Sequence, residues 1–198
     1  MSGSNLFLGI LLGLGLSAST GLNTFLPLLL LSAAARFHVG GVELGARFEW
    51  LTSDAAMITL IIACVIELIA DKIPAVDHFL DTAGTFIRPL AGALASASVL
   101  TGVDPMVAAI VGIIVGGPTS LGMHTLKAGT RLASTATTFG CANPVISIIE
   151  DVISFCLSIT AIFLPIVVPV FLALLVWALY QLMKRIRRTP PPAATVRI

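Results

Sequence analysis

Residues 55–66 read AAMITLIIACVI and decide the fold class, because they contain no charged side chain. Similar apolar runs recur along the chain, which is 57% hydrophobic and 11% charged, with a mean hydropathy of +1.05. Soluble domains carry roughly 25% charged residues, so this chain has too little polar surface to coat a globule. In lipid every backbone polar group must be paired internally, and runs this long favour α-helices over a barrel. We therefore predict an all-α, polytopic membrane helical bundle.

Six apolar segments, labelled A to F, organise the chain. They are A, about 6–35; B, from about 55; C, about 84–100; D, about 105–131; E, from about 145; and F, about 164–182. About six spans in one transmembrane domain, 1–183, are expected. Segment C is rich in Ala, Gly and Ser and is the weakest candidate span, so five spans or a re-entrant segment are the alternatives.

Glycines and prolines predict interruptions in three segments. In A, small and hydroxyl residues between Gly13 and Gly21 interrupt a run that is too long for one straight span. In B, Pro74 predicts a kink. Segment D is expected to break at residues 116–118, which read Gly-Gly-Pro.

The residues after segment F predict the orientation of the chain. The basic residues there are Lys184, Arg185, Arg187 and Arg188. Basic clusters beside a span stay on the cytoplasmic side, so we expect a protein of the inner membrane with a cytoplasmic C-terminus. Residues 184–198 form a basic, Pro-rich tail that is predicted to be disordered after Thr189.

Segments A and D share a sequence pattern. Residues 15–25, GLSASTGLNTF, align with 116–126, GGPTSLGMHTL, at an offset of 101, and 69–71 align with 149–151 at an offset of 80. These matches predict a 3+3 inverted repeat, with repeat one at about 5–100 and repeat two at about 105–183. Inverted repeats with broken helices at matching places are typical of transporters. The alternative is a chance match between glycine-rich apolar helices.

Charged residues lie in or beside the apolar segments, four of each sign. They are Glu67, Asp71, Glu150 and Asp151, with Lys72, Arg88, Lys127 and Arg131. A charge at the bilayer centre costs at least about 3 kcal/mol on insertion scales, so these groups are expected to pair. The functional interpretation is a polar pocket between two broken helices, and the alternative is a salt-bridge network that only fixes the fold.

One face of segment D carries a basic stripe. His124, Lys127 and Arg131 are spaced i, i+3 and i+7, directly after the predicted break. Backbone N–H groups freed at a restarting helix form an anion site. The predicted substrate- or ion-binding residues are Asn23, Glu67, Asp71, Lys72, Arg88, His124, Lys127, Arg131, Asn143, Glu150 and Asp151.

Several classes of function lack a sequence signal. The net charge of +1 does not suggest nucleic acid, and no hydrolase, zinc-protease or P-loop motif occurs, so neither an enzyme nor a cofactor is expected. Asp77-His78-x-x-Asp81 is interpreted as a solvated helix end rather than a metal site. The three cysteines are expected to be small apolar fillers.

Several short motifs together carry a family resemblance. The two most specific motifs are ADKIP-x-x-D at residues 70–77 and NP-x-x-S-x-x-ED at residues 143–151. They are accompanied by Gly-Leu-Asn at 21–23, RP-x-x-G at 88–92 and KAG-x-R at 127–131. With these motifs the chain resembles a bacterial family of small polytopic membrane proteins whose domain has no known function. The resemblance extends to about Tyr180 and implies an integral membrane protein without an assigned activity.

Three functional hypotheses follow. The first is a transporter or channel for a small, charged solute or ion, with its site at the interface of the repeats. The second is a lipid-handling protein, such as a flippase for a phosphorylated lipid, whose headgroup the basic residues hold. The third is a non-transporting structural membrane protein. Gly9-x-x-x-Gly13 and Gly112-x-x-x-Gly116 allow close helix contact, so either packing within the chain or a homodimer in the lipid bilayer is expected.

Overall fold

The structure is a computed structural model that describes residues 3–188, apart from the side chains of 3–5, 74, 75, 77, 78, 179, 182, 183 and 185–188. The described residues contain eight α-helices and no strand, which confirms the all-α prediction. The helices are α1 (Gly3–Leu22), α2 (Phe25–Arg36), α3 (Asp54–Ala70), α4 (Pro74–Ser98), α5 (Pro105–Val111), α6 (Gly117–Thr138), α7 (Asn143–Phe163) and α8 (Val168–Arg188).

Among the described residues, two helices are long and apolar enough to cross a membrane. They are the continuous helix Pro105–Thr138, which joins α5 to α6, and α7. A third span results if the 3-10 helix Ala46–Thr52 and α3, which meet at 64°, are taken as one bent segment. The prediction of six spans stays a prediction, and the tail after residue 188 lies outside the described residues.

Segment A is a helical hairpin, not one span interrupted by its glycines. Gly15 in α1 lies against Ala161 near the end of α7, and Asn23 contacts Asp151 ten residues earlier in α7. Helix α2 then brings the chain back to the level at which α1 began, because Gly40 lies against Ile162 near the C-terminal end of α7. The expectation of a break between Gly13 and Gly21 is therefore wrong, since α1 runs through these residues and the chain reverses at 23–24.

Local chemistry explains where the hairpin turns. Pro27 has no N–H to donate to the carbonyl of residue 23, so an α-helix cannot continue unbroken through this point. In the first turn of α2 the same proline is tolerated, because the N–H groups there have no partner within the helix. The side chain of Asn23 accepts a hydrogen bond of 3.0 Å from the Leu26 N–H, as an N-terminal cap does.

Segment D does not break at 116–118, so that prediction is also wrong. Residues 112–116 form a π-helical turn, and Gly116 and Gly117 keep right-handed helical backbone angles. A π turn supplies the extra residue that lets a helix pass a missing hydrogen bond, here the one that Pro118 cannot make. The helix therefore continues, and it leaves no row of free N–H groups for an anion.

Pro74 begins a helix instead of kinking one. Helix α3 ends at Ala70, and α4 starts at Pro74, where a proline is well placed because the first N–H groups of a helix have no partner within it. Asp71 and Lys72 therefore lie in a short turn between two helices. The polar loop after α2 contains two short 3-10 helices, Val39–Gly41 and Ala46–Thr52.

Helix α1 lies in the centre of the bundle and packs on α4, α6 and α7. Small residues allow the close approach: Gly9 and Gly13 face α4 from one side, and Gly112 and Gly116 face it from another. Both small-residue pairs are thus used within the chain. The prediction of a homodimer stays a prediction and gains nothing from these glycines.

Candidate functional site

The tip of the α1–α2 hairpin ends inside the protein and not at its surface. Asn23 is fully buried, and Thr24 is 4% exposed. Helix α6 passes the tip at Lys127 and continues to Thr138, about 16 Å further at the normal rise per residue. The ends of two helices, with their unpaired backbone groups, are therefore placed away from bulk water and need partners.

Two cations hold the carbonyl end of α1. Arg88 of α4 donates to the Gly21 carbonyl at 3.1 Å, and Lys127 of α6 donates to the Leu22 carbonyl at 2.9 Å. Both side chains are at most 1% exposed. Cations are favoured at the C-terminus of a helix, where the carbonyl dipoles point. This arrangement stabilises the end of α1 inside the bundle.

One carboxylate holds the amide end of α2. Glu67 of α3 accepts hydrogen bonds from the Thr24 N–H at 2.9 Å, the Phe25 N–H at 3.0 Å and the Thr24 hydroxyl at 2.8 Å. An anion at a helix N-terminus is favoured by the helix dipole and by charge-assisted hydrogen bonds. The two helix ends at the tip are thus contacted by side chains of opposite charge: cations at the end of α1 and a carboxylate at the start of α2.

Next to the tip lies a cluster of two carboxylates and two cations. Lys127 Nζ is 3.1 Å from Asp71 Oδ2 and 3.5 Å from Glu150 Oε2. Arg131 Nη2 is 2.8 Å from Glu150 Oε2 and 3.7 Å from Asp71 Oδ2. All four side chains are more than nine-tenths buried. Charges this deeply buried are stable only as a paired set.

A second ion pair lies on the other side of the tip. Lys72 Nζ donates to Asp151 Oδ2 at 2.6 Å and to the Ser147 hydroxyl at 2.8 Å. Asn23 donates to the other oxygen of Asp151 at 3.1 Å, so the turn of the hairpin is tied to α7. This pair is more accessible, with side-chain exposures of 30% and 15%.

His124 joins α6 to α4. Arg88 donates to His124 Nδ1 at 2.9 Å, and His124 Nε2 is 3.3 Å from the Thr85 hydroxyl. Because a guanidinium only donates, Nδ1 must accept and the imidazole is neutral in this arrangement. His124 therefore supports Arg88 by accepting its hydrogen bond, while the Arg88 carbonyl accepts from Ser120 at 2.8 Å.

The structure adds a carboxylate that the sequence analysis did not place in the site. Asp81 lies 3.9 Å from Arg88 and 3.8 Å from Arg131, and so joins the hairpin tip to the buried cluster. The signal was available: Asp81 and Arg88 are spaced i, i+7, which puts them on one helix face. The motif Asp77-His78-x-x-Asp81 predicts only a solvated helix end, and the side chains of Asp77 and His78 lie outside the described residues.

Asn143 is the predicted site residue that stands apart. Asn143 is the first residue of α7, and its side-chain amide donates to the Thr135 hydroxyl at 3.2 Å. It makes no described contact with the charged cluster. It does line a cavity of about 320 Å³ beside that cluster. The polar residues that line this cavity are Asp81, Thr82, Thr85, His124, Arg131, Thr135 and Asn143.

A row of hydroxyl groups leads away from the tip along α1 and α7. Ser19 is hydrogen-bonded to the Ser154 carbonyl at 2.6 Å and to the Ser158 hydroxyl at 2.6 Å, and all three serines are fully buried. One helix turn beyond Ser158, Ile162 lines a second cavity of about 570 Å³ at the far end of the bundle. Along α7, Ser154 and Ser158 thus lie between Asp151, which contacts the tip, and Ile162, which lines this cavity.

Several buried polar atoms of the site have no hydrogen-bond partner among the described residues. They include one oxygen each of Asp71, Asp81 and Glu150. Unsatisfied buried oxygens are rare and call for a ligand, a water or a proton. Within the described residues no three His, Cys, Asp or Glu side chains are arranged to bind a metal ion, and the three cysteines are unpaired.

Comparison with known families identifies the chain. The family model described as "Domain of unknown function (DUF4126)" matches residues 10–185. The chain belongs to the DUF4126 family. No curated protein and no solved structure matches it. The DUF4126 region contains the whole hairpin tip and all the charged residues of the site, but the family brings no activity with it.

Proposed function

We propose that this DUF4126 protein is a transporter of the inner membrane that carries a small, charged solute through the region of the hairpin tip. The observation that carries the proposal is the pair of half-helix ends buried at 21–25. In transporters, discontinuous helices place such ends near the bilayer midplane, where carbonyls meet cations and amides meet anions. Here Lys127 and Arg88 meet the carbonyls and Glu67 meets the amides.

The contacts at the tip can exchange partners. Lys127 and Arg131 each lie within 4 Å of two or more carboxylates, so either cation can release one partner and keep another. A charged solute that enters the cavity at Asp81 and Arg131 could replace one of these contacts without leaving a buried charge unpaired. This is the property that a transport site needs and that a purely structural ion pair lacks.

The route through the protein follows from the position of the two cavities. One cavity adjoins the charged cluster, and the other lies between the base of the hairpin and the α7–α8 connection. The serines at 19, 154 and 158 lie between them, and Leu16, Ala161 and Val168 close the route with a fully buried apolar layer. We propose that the hairpin moves to open one end at a time.

We also propose the finer topology: six spans, two inverted repeats over about 5–100 and 105–183, and a cytoplasmic C-terminus. Support comes from α1–α2, which covers 3–36, and from α5–α6, which covers 105–138, because these helical regions match at the offset of 101 found in the sequence. The paired segments 69–71 and 149–151 occupy different places, one at the C-terminal end of α3 and one inside α7.

The experiment is a measurement of charge movement in proteoliposomes on a solid-supported membrane. A panel of inorganic cations, amino acids, carboxylates and phosphate is added rapidly, and at least one solute should give a transient current. Asp81→Asn should lower that current about tenfold or more, because it removes a contact of roughly 1.4 kcal/mol at the cavity. Glu49→Gln, on an exposed 3-10 helix, is the matched control and should leave it unchanged.

The competing hypotheses give different results in the same preparation. A structural protein gives no current with any solute, although Asp81→Asn remains folded, and this result would reject transport. A flippase moves a fluorescent anionic lipid between leaflets and gives no response to soluble solutes.

A further inference from the structure

One edge of the Arg88 guanidinium is not used by the hairpin tip. Nη1 makes two hydrogen bonds, to the Gly21 carbonyl at 3.1 Å and to His124 Nδ1 at 2.9 Å. Nε, by contrast, has no hydrogen-bond partner among the described residues, although the side chain is only 1% exposed. Nη2 lies 3.7 Å from Glu67 Oε1 and 3.9 Å from Asp81 Oδ1, which is beyond hydrogen-bond distance. The Nε–Nη2 edge therefore presents donors that lack an acceptor.

A buried donor edge of this kind calls for an oxygen acceptor. Unsatisfied buried polar groups are rare in native structures, because each has lost its hydration without a replacement. In a guanidinium, Nε and Nη2 hold two N–H groups parallel in one plane, and this fork is the edge that binds ligand oxygens. A ligand oxygen on this edge leaves the two Nη1 hydrogen bonds of Arg88 in place.

The unused edge adjoins a cavity of about 220 Å³ between α2, α3 and α4. Gly84 lines this cavity, and a side-chain carbon added at Gly84 would lie 3.0 Å from Arg88 Nε. Glu67, which is 3.7 Å from Arg88 Nη2, lines the cavity as well. The donor edge thus lies behind two residues of the cavity lining, and the missing side chain at Gly84 leaves Nε uncovered on that side.

The walls of the cavity are apolar. The apolar side chains that line it are Phe25, Ala63, Ile66, Leu80, Ala83 and Ile87. The two polar residues in the lining, Thr24 and Glu67, are hydrogen-bonded to each other at 2.8 Å. A ligand in this cavity therefore needs an apolar body, and its hydrogen-bonding group belongs at the guanidinium edge.

The cavity opens between α3 and α4 onto an apolar surface. Helix α3 packs on α2 and has little contact with α4. Ile66 of α3 and Ile87 of α4, which both line the cavity, are 59% and 46% exposed. Helix α3 belongs to the bent segment that is apolar enough to cross a membrane, so in the membrane setting of the proposed function the opening faces lipid. The ligand is therefore expected to come from the lipid phase.

The charges around Arg88 favour a neutral oxygen over an anion. Glu67 and Asp81 already lie within 4 Å of Nη2, so an anionic head would bring a third negative group to one guanidinium. A carbonyl oxygen accepts the same hydrogen bonds without adding charge. The volume of about 220 Å³ suits a ring, because a dry apolar cavity of roughly 150 Å³ already takes benzene.

We propose that this cavity binds the head of a lipid-soluble quinone, with one carbonyl oxygen on the Nε–Nη2 edge of Arg88. The ring lies between the apolar walls, and the tail leaves past Ile66 and Ile87 into the lipid. This occupant satisfies the buried donors and keeps Arg88 on the carbonyl end of α1. The inference rests on the membrane setting of the proposed function and does not require transport.

Binding of a decyl-substituted benzoquinone to the full chain in phosphatidylcholine nanodiscs tests the site. Binding should saturate at one quinone per chain and exceed the partition of quinone into empty nanodiscs. With ¹³C at its carbonyls, the bound quinone should show one C=O stretching band at lower frequency than free quinone, because a charge-assisted hydrogen bond weakens the C=O bond.

Two variants block the site in different ways. Gly84→Ala covers Nε and should weaken binding about tenfold or more and remove the shifted band, since a hydrogen bond to a charged group is lost. Ala63→Phe fills the cavity from the α3 side and should also abolish binding, even if Gly84→Ala disturbs the fold. Gly122→Ala is the matched control: its methyl group meets nothing within 4 Å, it lies outside the cavity lining, and its affinity should stay at the wild-type value.

The possible results separate this site from its alternatives. Quinone uptake no greater than that of empty nanodiscs overturns the proposal, and so does saturable binding that neither Gly84→Ala nor Ala63→Phe weakens. Oleate that binds more tightly than the quinone also overturns it and assigns the cavity to an anionic amphiphile. Solute currents are recorded separately, so quinone binding without any current supports this site and rejects only the transporter.

Discussion

The two glycine-rich segments that align in sequence, 15–25 and 116–126, follow different paths in the structure. The first ends a helix, reverses at 23–24 and becomes a hairpin, whereas the second lies in one helix from 105 to 138 with a π turn at 112–116. A proline obstructs regular hydrogen bonding near each segment: Pro27 lies just after the first, and Pro118 lies within the second. The same kind of obstacle therefore accompanies a full reversal at one segment and a local π turn at the other.

The partners around each segment explain the difference. At 21–25 the open helix ends meet Arg88, Lys127 and Glu67, which replace the lost backbone hydrogen bonds with charge-assisted ones. At 112–116 the neighbouring residues of α4 are Gly92, Ala93, Ser96 and Ala97, none of which carries a charge. A buried helix can open only where its free groups are satisfied. The comparison teaches that charge position, more than glycine content, determines where this fold breaks.

Removing a cap from the tip should have the largest effect. Lys127→Met leaves the Leu22 carbonyl, Asp71 and Glu150 without their shared cation, so the free energy of unfolding should fall by about 3–5 kcal/mol. Lys72→Met, at a pair that is partly exposed, should cost about 1 kcal/mol or less. Unfolding in mixed micelles measures both. Equal losses would show that burial at the tip has no special role.

Neutralising the anionic cap should have the next largest effect. Glu67→Gln keeps the side-chain shape but places an NH₂ group against the N–H groups at 24 and 25, so we expect a loss of about 2–3 kcal/mol. Glu49→Gln, on the exposed 3-10 helix, should stay within about 0.5 kcal/mol of wild type. Hydrogen exchange should also report faster opening of α2 in the first variant only.

The aligned glycines at 21 and 122 offer a matched test of the two segments. In Gly21→Ala the added methyl group would meet the Met123 side chain at 2.6 Å and the Ser120 backbone, so overpacking should cost about 1–3 kcal/mol. In Gly122→Ala the methyl group would meet nothing within 4 Å, and the variant should be as stable as wild type or up to about 1 kcal/mol more stable. Thermal unfolding of both variants measures these changes in stability. A Gly21→Ala variant that is as stable as wild type would contradict the close crossing of α1 and α6.

The hydroxyl row should give the smallest effect on stability. Ser19→Ala removes hydrogen bonds to Ser154 and Ser158 and should cost about 1 kcal/mol, since the partners can still bond to the chain. Thr59→Ala, whose exposed hydroxyl bonds only within α3, should be silent. If Ser19→Ala instead abolishes solute currents while it remains folded, the row belongs to the route and not only to the packing.

Much of the site could be predicted, because a charge inside an apolar helix must have a partner. Glu67, Asp71, Lys127, Arg131 and Glu150 stand out in the sequence for this reason, and the structure brings them together. Asp81 did not stand out, since it lies near the start of α4 among other polar residues, where a solvated position is ordinary.

The composition by itself predicted a helical chain whose charges are paired, because a helix satisfies its own backbone groups and an ionised group in an apolar segment needs a partner. Only the tertiary structure decided that the chain reverses at 23–24 and which charge faces which helix end. The deciding contacts join residues far apart, such as Lys127 and the Leu22 carbonyl, separated by 105 positions. No local pattern of sequence encodes a partner at that distance, since helix periodicity fixes a face and not the neighbour that covers it.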